Sequence, residues 1–147
     1  MRDQVFISYS HLDQDWLDKL LATLKPLTRK QAIDVWADTR IKTGDKWKDE
    51  ITKALSRAKV AVLLVSRDFL ASDFIADEEI PPILAAAKYE GLKIVWVPVG
   101  ACLYEETPIV HYQAAHDPSK PLKGLSEAHA DEALVAIAKE IRNTANP

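Results

Sequence analysis

Val60-Ala61-Val62-Leu63-Leu64-Val65 places six apolar side chains in a row before Ser66. A strand with one wet face alternates polar and apolar residues. An unbroken run of this kind belongs to a strand covered on both faces, as in a parallel sheet flanked by helices. Three more runs read as strands: Val5 to Ser10, Ile33 to Trp36 and Ile94 to Val99. The segments between them carry helical spacing. Trp16, Leu17, Leu20, Leu21 and Leu24 repeat on one face, and so do Trp47, Ile51, Ala54, Leu55 and Ala58. A third helical stretch runs from about Phe74 to Tyr89 and stops at Gly91. A fourth, Asp131 to Ile141, buries Leu134, Ile137, Ala138 and Ile141. The alternation predicts an open, doubly wound α/β sheet. Residues Ala101 to Leu125 carry Pro108, Pro118 and Pro121 and little periodicity, so they read as a long irregular connection with room for one short edge strand.

The 147 residues fit one domain, spanning 1–147, and a domain of that size buries roughly 70% of the surface its unfolded chain exposes. With 48% hydrophobic and 28% charged residues the composition is that of a globular protein rather than a disordered or membrane-embedded one. The uncharged run Ile94 to Tyr104 is too short to span a bilayer, and the amino terminus starts polar and charged. The expectation is a cytoplasmic protein with no membrane partner. A single cysteine, Cys102, allows no internal disulfide and reads as a small buried residue in a reducing compartment. Net charge −3 without a basic stripe argues against nucleic acid as a partner. His11, His111, His116 and His129 lack the spacing of a metal site, and four glycines make no phosphate-cradling loop.

In sheets of this class the ligand crevice lies beyond the carboxyl ends of the strands, where strand order reverses. The residues there are Ser8, Tyr9, Ser10 and His11 after the first strand, Ala37, Asp38, Thr39 and Arg40 after the second, and Ser66, Arg67 and Asp68 after the third.

Three ordered motifs lie on those ends: VFISYSH at 5–11, DTRIKTGDKW at 38–47 and LLVSRDFLASDFIADEEIPPIL at 63–84. Together they resemble the TIR domain, particularly its bacterial NAD-cleaving branch. The resemblance covers essentially the whole chain and is weakest after Gly100. It implies a flavodoxin-like open parallel five-stranded sheet in the order 2-1-3-4-5 with helices on both faces. It also implies self-association into a homo-oligomer or filament with other TIR domains. The activity it implies is either NAD+ hydrolysis, in antiviral defence or signalling, or scaffolding without catalysis. Two departures stand out: many members carry Trp where this chain has Phe74, and their glutamate follows four positions later, whereas Glu79 follows five.

NAD+ would be the substrate and no cofactor is required. Nicotinamide in NAD+ is already a cationic pyridinium, so it leaves as a neutral base without a protonating acid. One carboxylate, steadying the positive charge that grows on the ribose, can be enough. Glu78 and Glu79 compete for this role. In a continuous helix their side chains point about 100° apart. Glu79 falls four positions from both Ile75 and Ile83 on the apolar stripe, and Glu78 falls with Phe74 and Pro82 beside it. Pro81 and Pro82 mark either a first helical turn or a kink. Burial against an apolar wall would raise the carboxyl pKa and a neighbouring Arg would oppose that; the residues leave both open.

Around Glu79 the expected pocket draws on Ser8, Tyr9 and Ser10 for hydroxyls and on Phe74 for a face on which nicotinamide stacks. Ser10 with Asp13 is equally a capping arrangement for the first helix. Asp38, Arg40 and Gly44 occupy the loop that, by the resemblance, gates the pocket and meets a neighbouring subunit. Trp47 reads as part of a helix face or as a ligand contact, and Trp36 as core or pocket floor. The leading reading is thus an NAD+ nucleosidase giving nicotinamide and ADP-ribose or a cyclic variant, active when assembled. The alternatives are a non-catalytic TIR–TIR interaction module and a nucleoside-processing transferase of related architecture. A longer parent protein with a sensor following this domain is a further expectation.

Overall fold

The computed structural model describes residues 3–37 and 47–147, with Trp47 described by its backbone alone. Five strands form a sheet: β1 (Gln4–Ser8), β2 (Asp34–Ala37), β3 (Ala58–Val65), β4 (Lys93–Pro98) and β5 (Gln113–Ala114). Their order is β2-β1-β3-β4-β5 and every pairing is parallel, so the doubly wound expectation holds strand for strand. β5 is the short edge strand inside the long connection. Apart from a register shift between Gln4 and Val5, the β1–β3 ladder runs evenly from Val5↔Val60 to Ser8↔Leu63.

Strand alternation sorts the core into two layers. On one face Val5, Ile7, Tyr9, Val60, Val62, Leu64, Val95 and Val97 meet Leu17, Leu20 and Leu24 of α1 (Gln14–Arg29) and Leu134, Ile137 and Ile141 of α5 (Glu127–Ala145). On the other, Phe6, Ala61, Leu63, Val65, Ile94 and Trp96 meet Ile51 and Leu55 of α2 (Trp47–Arg57) and Ile83 and Ala86 of a later helix. Each large aliphatic side chain buried this way contributes roughly 1.5–3 kcal/mol, which is why the two unbroken apolar faces of β3 dictate helices on both sides. Trp36 is half-buried against the second layer, stacked on Phe6 at 5.0 Å. Among the described residues, no helix is long and apolar enough to cross a membrane.

Three elements differ from the sequence reading. A short helix, α3 (Arg67–Ala71), follows β3 because Ser66 caps it, its Oγ accepting the Phe69 N–H. The stretch from Phe74 to Tyr89 is helical throughout, but not uniformly α: residues Ile75–Glu79 form a π turn that leads straight into α4 (Ile80–Tyr89). Pro81 and Pro82 lie in the first turn of α4, where a missing N–H costs nothing, whereas an α-helix continued from upstream would press their rings against the carbonyls of residues 77 and 78. The last helix starts earlier than its apolar repeat, because Ser126 Oγ accepts the His129 N–H and caps it there.

Cys102 is half-buried beside the second layer. Burial pushes its thiol pKa up, outweighing the backbone hydrogen bond at Tyr104, so it stays protonated at neutral pH.

Candidate active site at the carboxyl edge of β1 and β3

Strand order reverses between β1 and β3, and the buried polar side chains collect at their carboxyl ends. Ser8, the last residue of β1, follows Phe6 onto the face covered by α2 and α4. There its hydroxyl donates to Glu79 Oε1 at 2.9 Å. Ser8 is fully buried and Glu79 is 3% exposed. Of the two adjacent glutamates, Glu79 is buried and Glu78 half-buried.

A π turn ends at Glu79. Its signature is the Ile80 N–H bonded to the Ile75 carbonyl, five residues back rather than four. Ile75 upstream and Ile83 downstream, 3% and 0% exposed, stay in one core layer, with Glu79 between them.

The other expected site residues do not all converge on Glu79. Tyr9 alternates to the opposite face, where it is core; its hydroxyl donates to Gln14 Oε1 at 3.2 Å and its ring stacks on His11. Ser10 is a cap: its Oγ accepts the Leu12 N–H at the 3-10 turn His11–Asp13. The expected reciprocal partner, Asp13, turns elsewhere. Phe74 stands just before the π turn with 38% of its surface exposed. Asp38, Arg40 and Gly44 lie outside the described residues, as does the side chain of Trp47.

A second buried group at this edge was not foreseen. Asp13, 1% exposed, accepts from Lys123 Nζ at 2.8 Å through Oδ1 and from the Ser66 hydroxyl through Oδ2. Since Ser66 Oγ also caps α3, one carboxylate joins the turn after β1, the end of β3 and the long connection. Lys123 is fixed further by its backbone N–H on the Val99 carbonyl, and its stem runs over Gly100, where an added Cβ would meet Lys123 Cδ at 3.4 Å. The only hint in the sequence was the position of Ser66 at a strand end. Asp13 and Lys123 are 110 residues apart, and nothing in the aperiodic connection announces the pairing.

A carboxylate fixed in a dry site by a hydroxyl donor is suited to stabilising a developing cation, since charge–charge terms weaken far less there than in water. The sheet order with a buried acid at the switch point defines a flavodoxin-like α/β domain whose ligand edge carries a single inward glutamate on the α2–α4 face. The family profile described as TIR domain matches residues 5–134, and the chain belongs to the TIR domain family. It is 32% identical over 143 residues to protein y4lF of Sinorhizobium fredii (strain NBRC 101917 / NGR234), an alignment that takes in 96% of this chain and 43% of y4lF. The chain thus spans less than half of that relative. Among solved structures, the TIR domain of the Toll-related receptor TRR-2 from Hydra magnipapillata superposes with a TM-score of 0.54 at 19% identity, over 80% of this chain and 88% of that one. The TIR domains of the activated Roq1 resistosome give a TM-score of 0.49 at 20% identity, over 93% of this chain and 84% of that one. The receptor domain is a likeness of fold.

Proposed function

We infer that this TIR domain is an NAD+ nucleosidase, with Glu79 as the catalytic carboxylate, and that it serves bacterial antiviral defence or signalling in the cytoplasm. One observation carries the reading: Glu79 is held inward at the ligand edge, 2.9 Å from the Ser8 hydroxyl, where a solvated surface acid would not be. The C–N bond between ribose and nicotinamide breaks with its electron pair going to the ring nitrogen, which neutralises the pyridinium. The ribose left behind is an oxocarbenium-like cation, and Glu79 opposes its charge. Water then adds at the same carbon and gives up a proton, so NAD+ and water yield ADP-ribose, nicotinamide and H+. Attack by a group within the ADP-ribose itself instead of water gives a cyclic product.

Ser8 orients the carboxylate and Phe74 offers a face for nicotinamide. NAD+ is the substrate, not a resident cofactor. Other copies of the domain are the partners that switch the activity on, through assembly. The test is nicotinamide release by purified protein at rising concentration or with a crowding agent. Release that steepens with concentration and disappears in Glu79→Ala supports the reading; undiminished release in that variant removes Glu79 from the reaction. A domain that only recruits other TIR domains assembles yet consumes no NAD+ at any concentration.

A further inference from the structure

Glu79 closes a turn that an uninterrupted α-helix would not contain. The turn is pinned at both ends. Upstream, Ser72 Oγ accepts the Ile75 N–H at 3.2 Å, the Ser72 carbonyl accepts the Ala76 N–H at 3.0 Å, and Ile75 is in the core. Downstream, Ile83 and Ala86 dock α4 on the same layer. Between these anchors Ala76 and Asp77 face solvent, so the chain holds one residue more than an α turn needs and carries it on the outside. Immediately after stand Pro81 and Pro82, both exposed and neither able to donate a backbone hydrogen bond. Exposed prolines contribute little to the core. Their rings would collide with the carbonyls of residues 77 and 78 in an α register, and those carbonyls lie within the π turn.

We propose that Pro81 and Pro82 are positioning residues: their rings keep the preceding turn wide, and the wide turn sets the Glu79 carboxylate on Ser8. The proposal rests on Glu79 being the catalytic carboxylate only for its activity readout. With alanine at both positions the block is gone and the tighter α register is open. Five residues then have to fit where four belong, and the excess emerges at the junction occupied by Glu79. Removing Ala76 in that background takes away the surplus residue, so a plain α turn again joins the two anchors with Glu79 inward.

The experiment compares wild type, Pro81→Ala/Pro82→Ala, and the same pair combined with deletion of Ala76. Nicotinamide release is measured together with the side-chain carboxyl 13C resonance of Glu79, identified by its disappearance in Glu79→Gln. The double variant is expected to lose about a hundredfold in kcat with little change in KM, the scale of a misplacement near 1 Å. Its Glu79 resonance should move toward that of the exposed glutamates, and the deletion should return both readouts toward wild type. A merely structural role for the prolines would move the melting temperature without giving rescue by a deletion. If the double variant keeps both the wild-type kcat and the wild-type resonance, or if the deletion rescues neither, the proposal is overturned. If wild type releases no nicotinamide, the functional reading fails alone, and the resonance decides the positioning claim.

Discussion

Two carboxylates are buried at the carboxyl edge of this sheet, one on each face, and they are held by opposite strategies. Asp13 is held by groups far apart in the chain: the Lys123 ammonium on one oxygen and the Ser66 hydroxyl on the other. It joins three segments, so drawing it toward a ligand would break the joint. Glu79 sits instead at the end of a wide turn forced by prolines and takes the hydroxyl of Ser8, a residue of the sheet itself. The first arrangement spends a charge on holding strand ends and the long connection together. The second keeps an acid aimed inward at the place where ligands bind in such sheets. Burial alone does not separate the two, since both are under 4% exposed. The partners and the backbone beneath them do.

The comparison breaks most readily at Lys123. The Asp13 side chain is 0% exposed and Lys123 is 42% exposed, so loss of the lysine strands a carboxylate that cannot reach water, whereas loss of the aspartate leaves an ammonium that can. Lys123→Met is therefore expected to cost about 3–5 kcal/mol, the range for one orphaned member of a buried pair, and Asp13→Asn distinctly less. Urea unfolding midpoints of the two variants measure this. Equal losses, or a larger loss for Asp13→Asn, would show that the pair acts as a surface ion pair rather than a buried joint.

Ser66→Ala sharpens the same contrast with a smaller effect. The hydroxyl both donates to Asp13 and caps α3 by accepting the Phe69 N–H, so its removal should cost about 1–2 kcal/mol, the cap and the lost donor together. Because α3 leads into the π turn, nicotinamide release should fall modestly with kcat and KM both affected, where a loss at Glu79 abolishes it. Unfolding and turnover measured on the same preparation separate the two contributions.

The uneven legibility of these two sites has a physical origin. The fold was readable because β3 is apolar on both faces, Val60 through Val65, and because each helix between strands keeps one apolar stripe. The burial of Glu79 was readable because Ile75 and Ile83 bracket it on such a stripe, a local pattern spanning two turns. Its actual backbone was not: Pro81 and Pro82 were visible as punctuation, but a first turn and a kink share that signal, and the π turn combines a helix start with a widened turn before it. Tyr9 was misplaced in space because proximity in sequence ignores alternation; one residue after Ser8 means the opposite face of the sheet. The Asp13–Lys123 pair was invisible for the reason most long-range pairs are, since neither residue carries local periodicity and 110 residues intervene.

The smallest expected change in stability belongs to the side chain with the largest expected effect on activity. Glu79→Gln keeps the shape of the side chain and leaves its amide oxygen able to accept from Ser8 Oγ, while it removes a charge from a position 3% exposed. The desolvation cost of the charge and its hydrogen-bonding gain both disappear, so the net change in stability should lie within about 1 kcal/mol and can favour the variant. A residue kept for chemistry is typically held at no benefit to the fold, and its neutral isostere folds as well or better. Nicotinamide release, by contrast, should vanish, because an amide cannot oppose the ribose cation. Chemical denaturation of Glu79→Gln beside Lys123→Met is the direct comparison. A loss at Glu79 as large as that at Lys123 would mean that both carboxylates are joints of the fold, and the distinction between the two faces of this edge would collapse.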